Sequence, residues 1–553
     1  MTMGWALLLG LFFTSGFYNS DDISYLMGIQ ALAGERIIPI DPIYIGSFRL
    51  GVTALPTVGY VLGGSSVFLA TLCTIMYLPF IVLIAYLIAK KLHGEGSALF
   101  AAVLVANFPL FYFYSGTLLP DNPFTAWLGL TMLVLLSTWD RQVASGDKYS
   151  ALKDWRFFLC GACLGMTYTV KESALVMFVP IYLGLLLYSR RWFSSKTLVQ
   201  ATYFGLGFGF ILITETIVIT ILSGGSIASA LGGDFVFRLS FSQSTDAVRL
   251  YEKRIAQQGL YPLERLTFLH DRLAPFLTNL LIPFVVASLL YITQCIGRDF
   301  KAKARLFIWM STVWLFLYLT FGSTNLVQYL PPPIQHQRYF APVALGSLIM
   351  LSGLVGALIP ILVRFLRLKN LLINLFVILI LSPFAFWIAD RLHHFGQQAG
   401  QIYRSAETKA FLTAYRDAIL DGSNLPVIIG HYPSRRLEPL FLAAIDALPD
   451  RVFLTPMGNE ITSENAPKPP FLLISPRSKH HFDRTRTLIQ ERVARGELIM
   501  SPYLKGKYLM PAGRFEELSY LLYPLRGKPS VLSGRYAPDA TAFNLLYIKE
   551  VNK

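Results

Sequence analysis

The sequence predicts a polytopic α-helical membrane protein with about eleven transmembrane helices, followed by a soluble, extracytoplasmic α/β domain. Three observations carry that expectation. Of 553 residues, 54% are hydrophobic and only 15% charged, where soluble domains are typically about a quarter charged. Long apolar runs recur from the first residues to about residue 389. After that, short strand-like runs alternate with helical ones, the pattern of a small α/β domain. The expected division is a transmembrane module over 1–394 and a soluble domain over 395–553.

The first apolar run, WALLLGLFFTSGF, lacks the basic leader and clean cleavage pattern of a signal peptide and is expected to be a short first span. Further runs occupy roughly 67–89, 97–113, 123–138, 157–170, 174–189, 198–222, 274–294, 306–321, 341–363 and 371–389. Basic residues fall on every second connection: Lys90 and Lys91; Arg141, Lys148, Lys153 and Arg156; Arg190, Arg191 and Lys196; Arg298, Lys301, Lys303 and Arg305; Arg364, Arg367 and Lys369. The positive-inside rule makes those loops cytoplasmic. The net charge of +15 is therefore a topology signal that also meets anionic headgroups, and it points away from nucleic acid. Residues 157–189 must hold two spans, because both flanking loops are basic. The joint falls near Lys171 and Glu172, at the outer face.

The same alternation places 18–66, 114–122, 170–173, 223–273, 322–340 and everything beyond about 390 outside. The protein is expected in the plasma (inner) membrane, with Asp21, Asp22, Asp121, Lys171, Glu172, His336 and Arg338 gathered on one side. In the soluble segment LPVIIG, RVFLTP, FLLISP and NLLYIKEV read as strands, and EPLFLAAIDAL and RTRTLIQERVARG as helices. Lys479, His480 and His481 form either a weak anion site or a solvated basic turn. Cys160 and Cys163 have C-x-x-C spacing within an apolar run, which fits small packing residues better than a metal or redox site.

The outer loops resemble a known family. The first, YNSDDISYLMGIQALAGERIIPIDPIYIGSFRLGVTALPTVGYVLGG, is similar to the first external loop of GT-C glycosyltransferases. The branch is that of the protein mannosyltransferases and bacterial aminoarabinose transferases. The family's acidic pair appears as Asp21 and Asp22, its Y-x-x-x-A-x-x-L-x-x-G as Tyr25 through Gly34, and its Arg-Gly turn as Arg49–Leu50–Gly51, with Gly63–Gly64 beyond. LIAKKLHGEGSALFAAVLVANFPLFYFYSGTLLPDNPFTAWLGL follows the family's layout, with Asp121 in the place of its second-loop acid. GMTYTVKESALVMFVPIYLGLLL resembles the segment with a Lys between spans, and QHQRYFAPVAL the late loop with Arg-Tyr and a following Pro. The family often has Asp-Glu where Asp21–Asp22 stands, and the C-terminal domain matches no motif.

This resemblance implies an enzyme that moves a sugar from a polyprenyl-phosphate carrier to a lipid A or other glycolipid, a glycan or a protein at the outer face. A hydroxyl acceptor needs a base. Asp21 and Asp22 are the candidates, Asp21 first, with Asp121 completing an acidic cluster. A divalent cation (Mg or Mn) would be held by the same three carboxylates. The leaving phosphate calls for cations: Lys171 and Arg338, assisted by His336 and Tyr339, and more weakly by Arg49. Each residue also has a plainer reading. Asp21 and Asp22 can cap a helix over 23–33, Asp121 can open a turn, and Lys171 can anchor at the interface. Glu172 can pair with Lys171, and Arg338 can reach lipid headgroups. Glu215, in mid-span, can line a carrier groove or bond to a neighbouring helix.

A secondary transporter is the competing class, and a non-catalytic scaffold for envelope glycan export the third. A transporter expects internal repeats and midplane polar sites, whereas here no repeat is visible and the polar residues sit at one face. The topology has its own check. A cysteine introduced near residue 480 should react with a membrane-impermeant thiol reagent from outside only; labelling from the cytoplasmic side would invert the assignment.

Overall fold

The computed structural model describes most of residues 2–366, apart from 13–20, 36, 39–45, 65–66, 113, 145–154, 190–194 and most of 226–298 and 324–336. Beyond 366 it describes six strands and a few adjoining residues. Two compact units emerge, one of Met1–Thr14 with Gly28–Gln398 and one of Ser15–Met27 with Ala399–Lys553.

The first unit is helical. Its helices are α1 (Thr2–Phe12), α2 (Asp21–Leu32, which begins in the second unit's Ser15–Met27 segment), α3 (Leu50–Leu62), α4 (Val67–Ile75), α5 (Tyr77–His93), α6 (Glu95–Ala106) and α7 (Pro109–Tyr112). They continue as α8 (Asp121–Ala144), α9 (Arg156–Val170), α10 (Phe178–Ser189), α11 (Ser195–Leu222), α12 (Phe300–Phe321) and α13 (Ala341–Leu366). Among the described residues, four stretches are long and apolar enough to cross a membrane: Leu69–His93, Thr197–Leu222, Phe300–Phe321 and Arg338–Leu358. Thr2–Leu11, Leu50–Leu62, Glu95–Ala106, Arg156–Val170 and Glu172–Tyr188 are shorter apolar helices. The expected run at 371–389 lies outside the described residues, as does most of that at 274–294.

The core forms around α5, which contacts α1, α4, α6, α8, α12 and α13. Its turn into α6 needs Gly94, at φ 97, a left-handed conformation that costs a side-chain-bearing residue strain. Trp139 of α8 stacks on Tyr188 of α10 at 4.0 Å and meets Phe307 of α12 edge-on at 5.1 Å, joining three helices through one buried aromatic cluster. Small residues set the contact between α9 and α11. A Cβ at Gly161 would strike the Phe204 carbonyl, and one at Gly207 the Phe158 carbonyl. The glycines thus let two backbones approach as small-residue motifs do in lipid. Cys160, two residues from Phe158, is buried with its Sγ 3.6 Å from the Thr131 carbonyl, and both it and Cys163 are free, buried thiols.

The expected interruption near Lys171 is present. α9 ends at Val170, Lys171 is extended (φ −158, ψ 130), and a 3-10 turn over Glu172–Met177 leads into α10. Several basic side chains of the expected cytoplasmic clusters are engaged within the protein rather than left to lipid headgroups. Lys303 donates to the Leu187 carbonyl at 2.9 Å, and Arg305 to those of Leu92 at 3.0 Å and Gln294 at 3.3 Å. Lys91 pairs with Asp140 at 2.8 Å. Leu92 and Leu187 lie in the last turns of α5 and α10, where carbonyls lack intrahelical donors and the helix dipole favours a cation.

The second unit holds one mixed sheet in the order β2-β1-β3-β6-β4, with β5 pairing β6. β1 (Val427–Ile429) runs parallel to β2 (Val452–Leu454) and β3 (Phe471–Pro476). β6 (Thr541–Glu550) is antiparallel to β3, β4 (Leu498–Pro502) and β5 (Tyr508–Leu509). The four runs expected as strands contain β1, β2, β3 and most of β6, while β4 and β5 escaped the sequence reading. Before β4 a helix ends at Gly496, φ 72. There the amides of Gly496 and Glu497 reach back to the Val493 and Arg492 carbonyls, a Schellman ending. Lys479, His480 and His481 lie outside the described residues.

Arg305 offers a direct test of the internal use of basic residues. Arg305→Met removes charged donors from carbonyls that have few other partners, so it should destabilise the bundle by about 1–3 kcal/mol. Thermal unfolding of the detergent-purified protein reads this as a lowered melting temperature; an unchanged one would assign Arg305 to the lipid surface instead.

Candidate functional site

Asp121 is the first residue of α8, where a carboxylate favours the positive end of the helix. Its turn is fixed on both sides. Phe124 N–H donates to the Pro120 carbonyl at 2.8 Å, Thr125 Oγ1 to the Asp121 carbonyl at 2.8 Å, and Asn122 Nδ2 to the Phe111 carbonyl at 2.7 Å. The carboxylate that this turn presents is almost wholly buried, with a side-chain exposure of 2%.

Two cations from distant parts of the chain face it. Lys171 Nζ lies 3.7 Å from Oδ1, and Arg338 Nε 3.4 Å from Oδ2. Lys171 reaches it because the chain abandons helical geometry there, although its own N–H still donates to the Thr167 carbonyl at 3.1 Å and its carbonyl accepts from Ala174 at 3.1 Å. Arg338 belongs to a 3-10 turn, Gln337–Phe340, that opens into α13. The ring of Tyr339 lies beneath Lys171, whose Nζ is 3.8 Å from its centroid, with the Arg338 guanidinium carbon at 5.4 Å. This cation–π floor suits a desolvated ammonium.

A second ion pair adjoins the first. Arg49, directly before α3, places Nη2 3.1 Å from Glu172 Oε2. The local pair of Lys171 with Glu172 weighed from sequence is thus replaced by a pair joining residues 49 and 172. The sequence gives no spacing from which to infer it.

Among the described residues the cluster brings together three cations, Arg49, Lys171 and Arg338, and two anions, Asp121 and Glu172. Burying charge is costly. Lys171 registers that cost: its pKa falls from 10.5 to about 8. Burial is the largest cause; Asp121 opposes it, Arg49 and Arg338 add to it, and Glu172 opposes it. Arg and Lys side chains have the chemistry to meet phosphate, whose oxygens suit an Arg fork and a Lys point charge.

The structure therefore brings together Asp121, Lys171, Arg338, Tyr339 and Arg49. Asp21 and Asp22 open α2, but their side chains lie outside the described residues, as does His336. A divalent cation at Asp121 would share the carboxylate with Lys171 and Arg338, and the other two expected ligands, Asp21 and Asp22, have side chains outside the described residues. Among the described residues no three His, Cys, Asp or Glu side chains gather as metal ligands. Glu215 is buried within α11.

Residues 51–217 match the family model described as dolichyl-phosphate-mannose-protein mannosyltransferase. The match takes in Asp121, Lys171 and Glu172 and leaves Asp21, Asp22, Arg49 and Arg338 outside it. The crystal structure of ArnT from Cupriavidus metallidurans bound to undecaprenyl phosphate superposes with a TM-score of 0.51, covering 99% of this chain and 97% of that one at 11% identity. The chain has the GT-C glycosyltransferase fold. In sequence, undecaprenyl phosphate-alpha-4-amino-4-deoxy-L-arabinose arabinosyl transferases from Pseudomonas aeruginosa and Pseudomonas paraeruginosa are each 29% identical over 208 residues. Those alignments span 34% of this chain and 36% of each relative, so the chain matches about a third of the length of its curated relatives. Within GT-C proteins its likeness is to the aminoarabinose-transferase-like branch.

Proposed function

We propose that the chain is an integral-membrane glycosyltransferase that takes a sugar from a polyprenyl-phosphate carrier and passes it to a hydroxyl-bearing lipid, glycan or protein at the outer face of the membrane. The observation that carries this reading is the convergence of Lys171 and Arg338 on one buried carboxylate, Asp121, with Arg49 beside them. The family match over 51–217 supports the reaction class.

In the transfer, the acceptor oxygen attacks the anomeric carbon while its proton passes to a carboxylate. The bond from that carbon to the phosphate oxygen breaks, and its electron pair leaves with the polyprenyl phosphate. Lys171 and Arg338 stabilise the charge that develops on the departing phosphate. Asp21 is proposed as the base and Asp22 as the neighbour that tunes it. Asp121 acts as counter-ion rather than as base: taking a proton would deprive Lys171 and Arg338 of their shared anion. The second unit is proposed to lie on the same outer face.

Purified protein given a polyprenyl-phosphate sugar and candidate acceptors tests this. Asp21→Asn should lower kcat by roughly 10²–10⁴, and Arg338→Ala should cost about 10²–10³ in kcat/KM. Undiminished transfer in both Asp21→Asn and Asp22→Asn would remove the carboxylate base. Solute uptake into sealed vesicles without turnover would favour a transporter. Because Lys171 is protonated below about 8 and neutral above it, kcat/KM should also fall as pH rises through that value.

A further inference from the structure

Glu172 and its partner Arg49 are the charged members of the cluster for which the transfer mechanism supplies no task. Glu172 is an anion beside a site that is to receive an anion, so its charge alone works against binding. Its geometry suggests why it is there. It engages Arg49 Nη2 at 3.1 Å, across 123 residues of sequence, and both side chains are largely buried, at 23% and 18% exposure. The backbones that carry the pair are themselves docked. Gly51, two residues after Arg49, lies so close to the end of α9 that a Cβ there would come within 2.9 Å of the Val170 nitrogen. The buried Tyr77 hydroxyl also donates to the Gly51 carbonyl at 3.3 Å.

We propose that Glu172 is a positioning residue: it holds the Arg49 guanidinium beside Lys171 and Arg338, so that Arg49 serves as the third cation of the phosphate site. The proposal rests on reading this cluster as a phosphate site. Arg presents five N–H donors in a rigid fork, and Glu172 aligns that fork from its Nη2 edge. A long side chain fixed before the ligand arrives loses less freedom on binding. Charge and positioning predict opposite signs: as a mere negative charge Glu172 weakens phosphate binding, whereas as the holder of Arg49 it strengthens it.

Binding of undecaprenyl phosphate to the detergent-purified full chain decides between them, with undecaprenol as the neutral control. The parent should prefer the phosphate over the alcohol. Glu172→Ala and Arg49→Ala should each weaken phosphate binding by roughly tenfold, and the double variant should bind no more weakly than Arg49→Ala alone, since contacting residues are not additive. Glu172→Gln, which still accepts an Arg hydrogen bond, should recover part of the loss. Unchanged undecaprenol binding shows that each variant is folded. Tighter or unaltered phosphate binding in Glu172→Ala, or fully additive losses in the double variant, would overturn the positioning role. A parent that does not distinguish the two lipids would instead overturn the phosphate site, a different and separately readable outcome.

Discussion

One buried carboxylate shared by two cations is the interaction on which the arrangement of the site depends. Asp121 fixes where Lys171 and Arg338 can rest, and those two residues come from segments that depart from α-helical geometry to reach it. In an apolar bundle this is an expensive arrangement, since taking ions out of water costs several kcal/mol each. The cost shows in Lys171, whose affinity for its proton is lowered chiefly by burial. A chain that needed only stability would be better served by apolar side chains there, as replacements of buried ion pairs elsewhere indicate. On the proposed reading these cations meet an anion that is brought in and released, a lipid phosphate leaving a sugar.

The bundle serves this site by keeping its parts apart in sequence and close in space. Trp314 Nε1 of α12 donates to the Val176 carbonyl at 2.8 Å, securing the 3-10 turn that follows Lys171. Gly51 seats the start of α3 on the end of α9. At the expected cytoplasmic ends, Lys303 and Arg305 tie helix termini together with hydrogen bonds to bare carbonyls. Basic residues thus do two jobs: near one set of helix ends they complete helices, and near the other they converge on Asp121.

Much of the fold was legible because hydropathy and charge act over many residues. Loop charges alone required a break near Lys171, and the chain does break there. The strands β1, β2, β3 and most of β6 follow from local patterns of the same kind. β4 directly follows a helix end and β5 has two residues, so neither stands out as an apolar run before it pairs with β6. Within the site, residue types were legible but partners were not. Asp121 was grouped with Asp21 and Asp22 as an acid, whereas its neighbours in space are the cations expected for the phosphate. Glu172 was weighed against its sequence neighbour Lys171, and its carboxylate instead meets Arg49. Pairing across 123 residues is a property of packing, and no periodicity in one sequence encodes it.

The central claim is that Lys171, its pKa lowered to about 8 chiefly by burial, faces a lipid phosphate. Proton exchange on binding tests it most directly. Near pH 8 Lys171 is about half protonated, while a phosphate monoester with its second pKa near 6 is already dianionic. Calorimetry of undecaprenyl phosphate binding at that pH, in buffers of different ionisation enthalpy, should show net uptake of up to about half a proton, because a nearby dianion favours the charged ammonium. The uptake should vanish in Lys171→Met. Binding with no uptake, or uptake that persists without Lys171, would contradict the assignment.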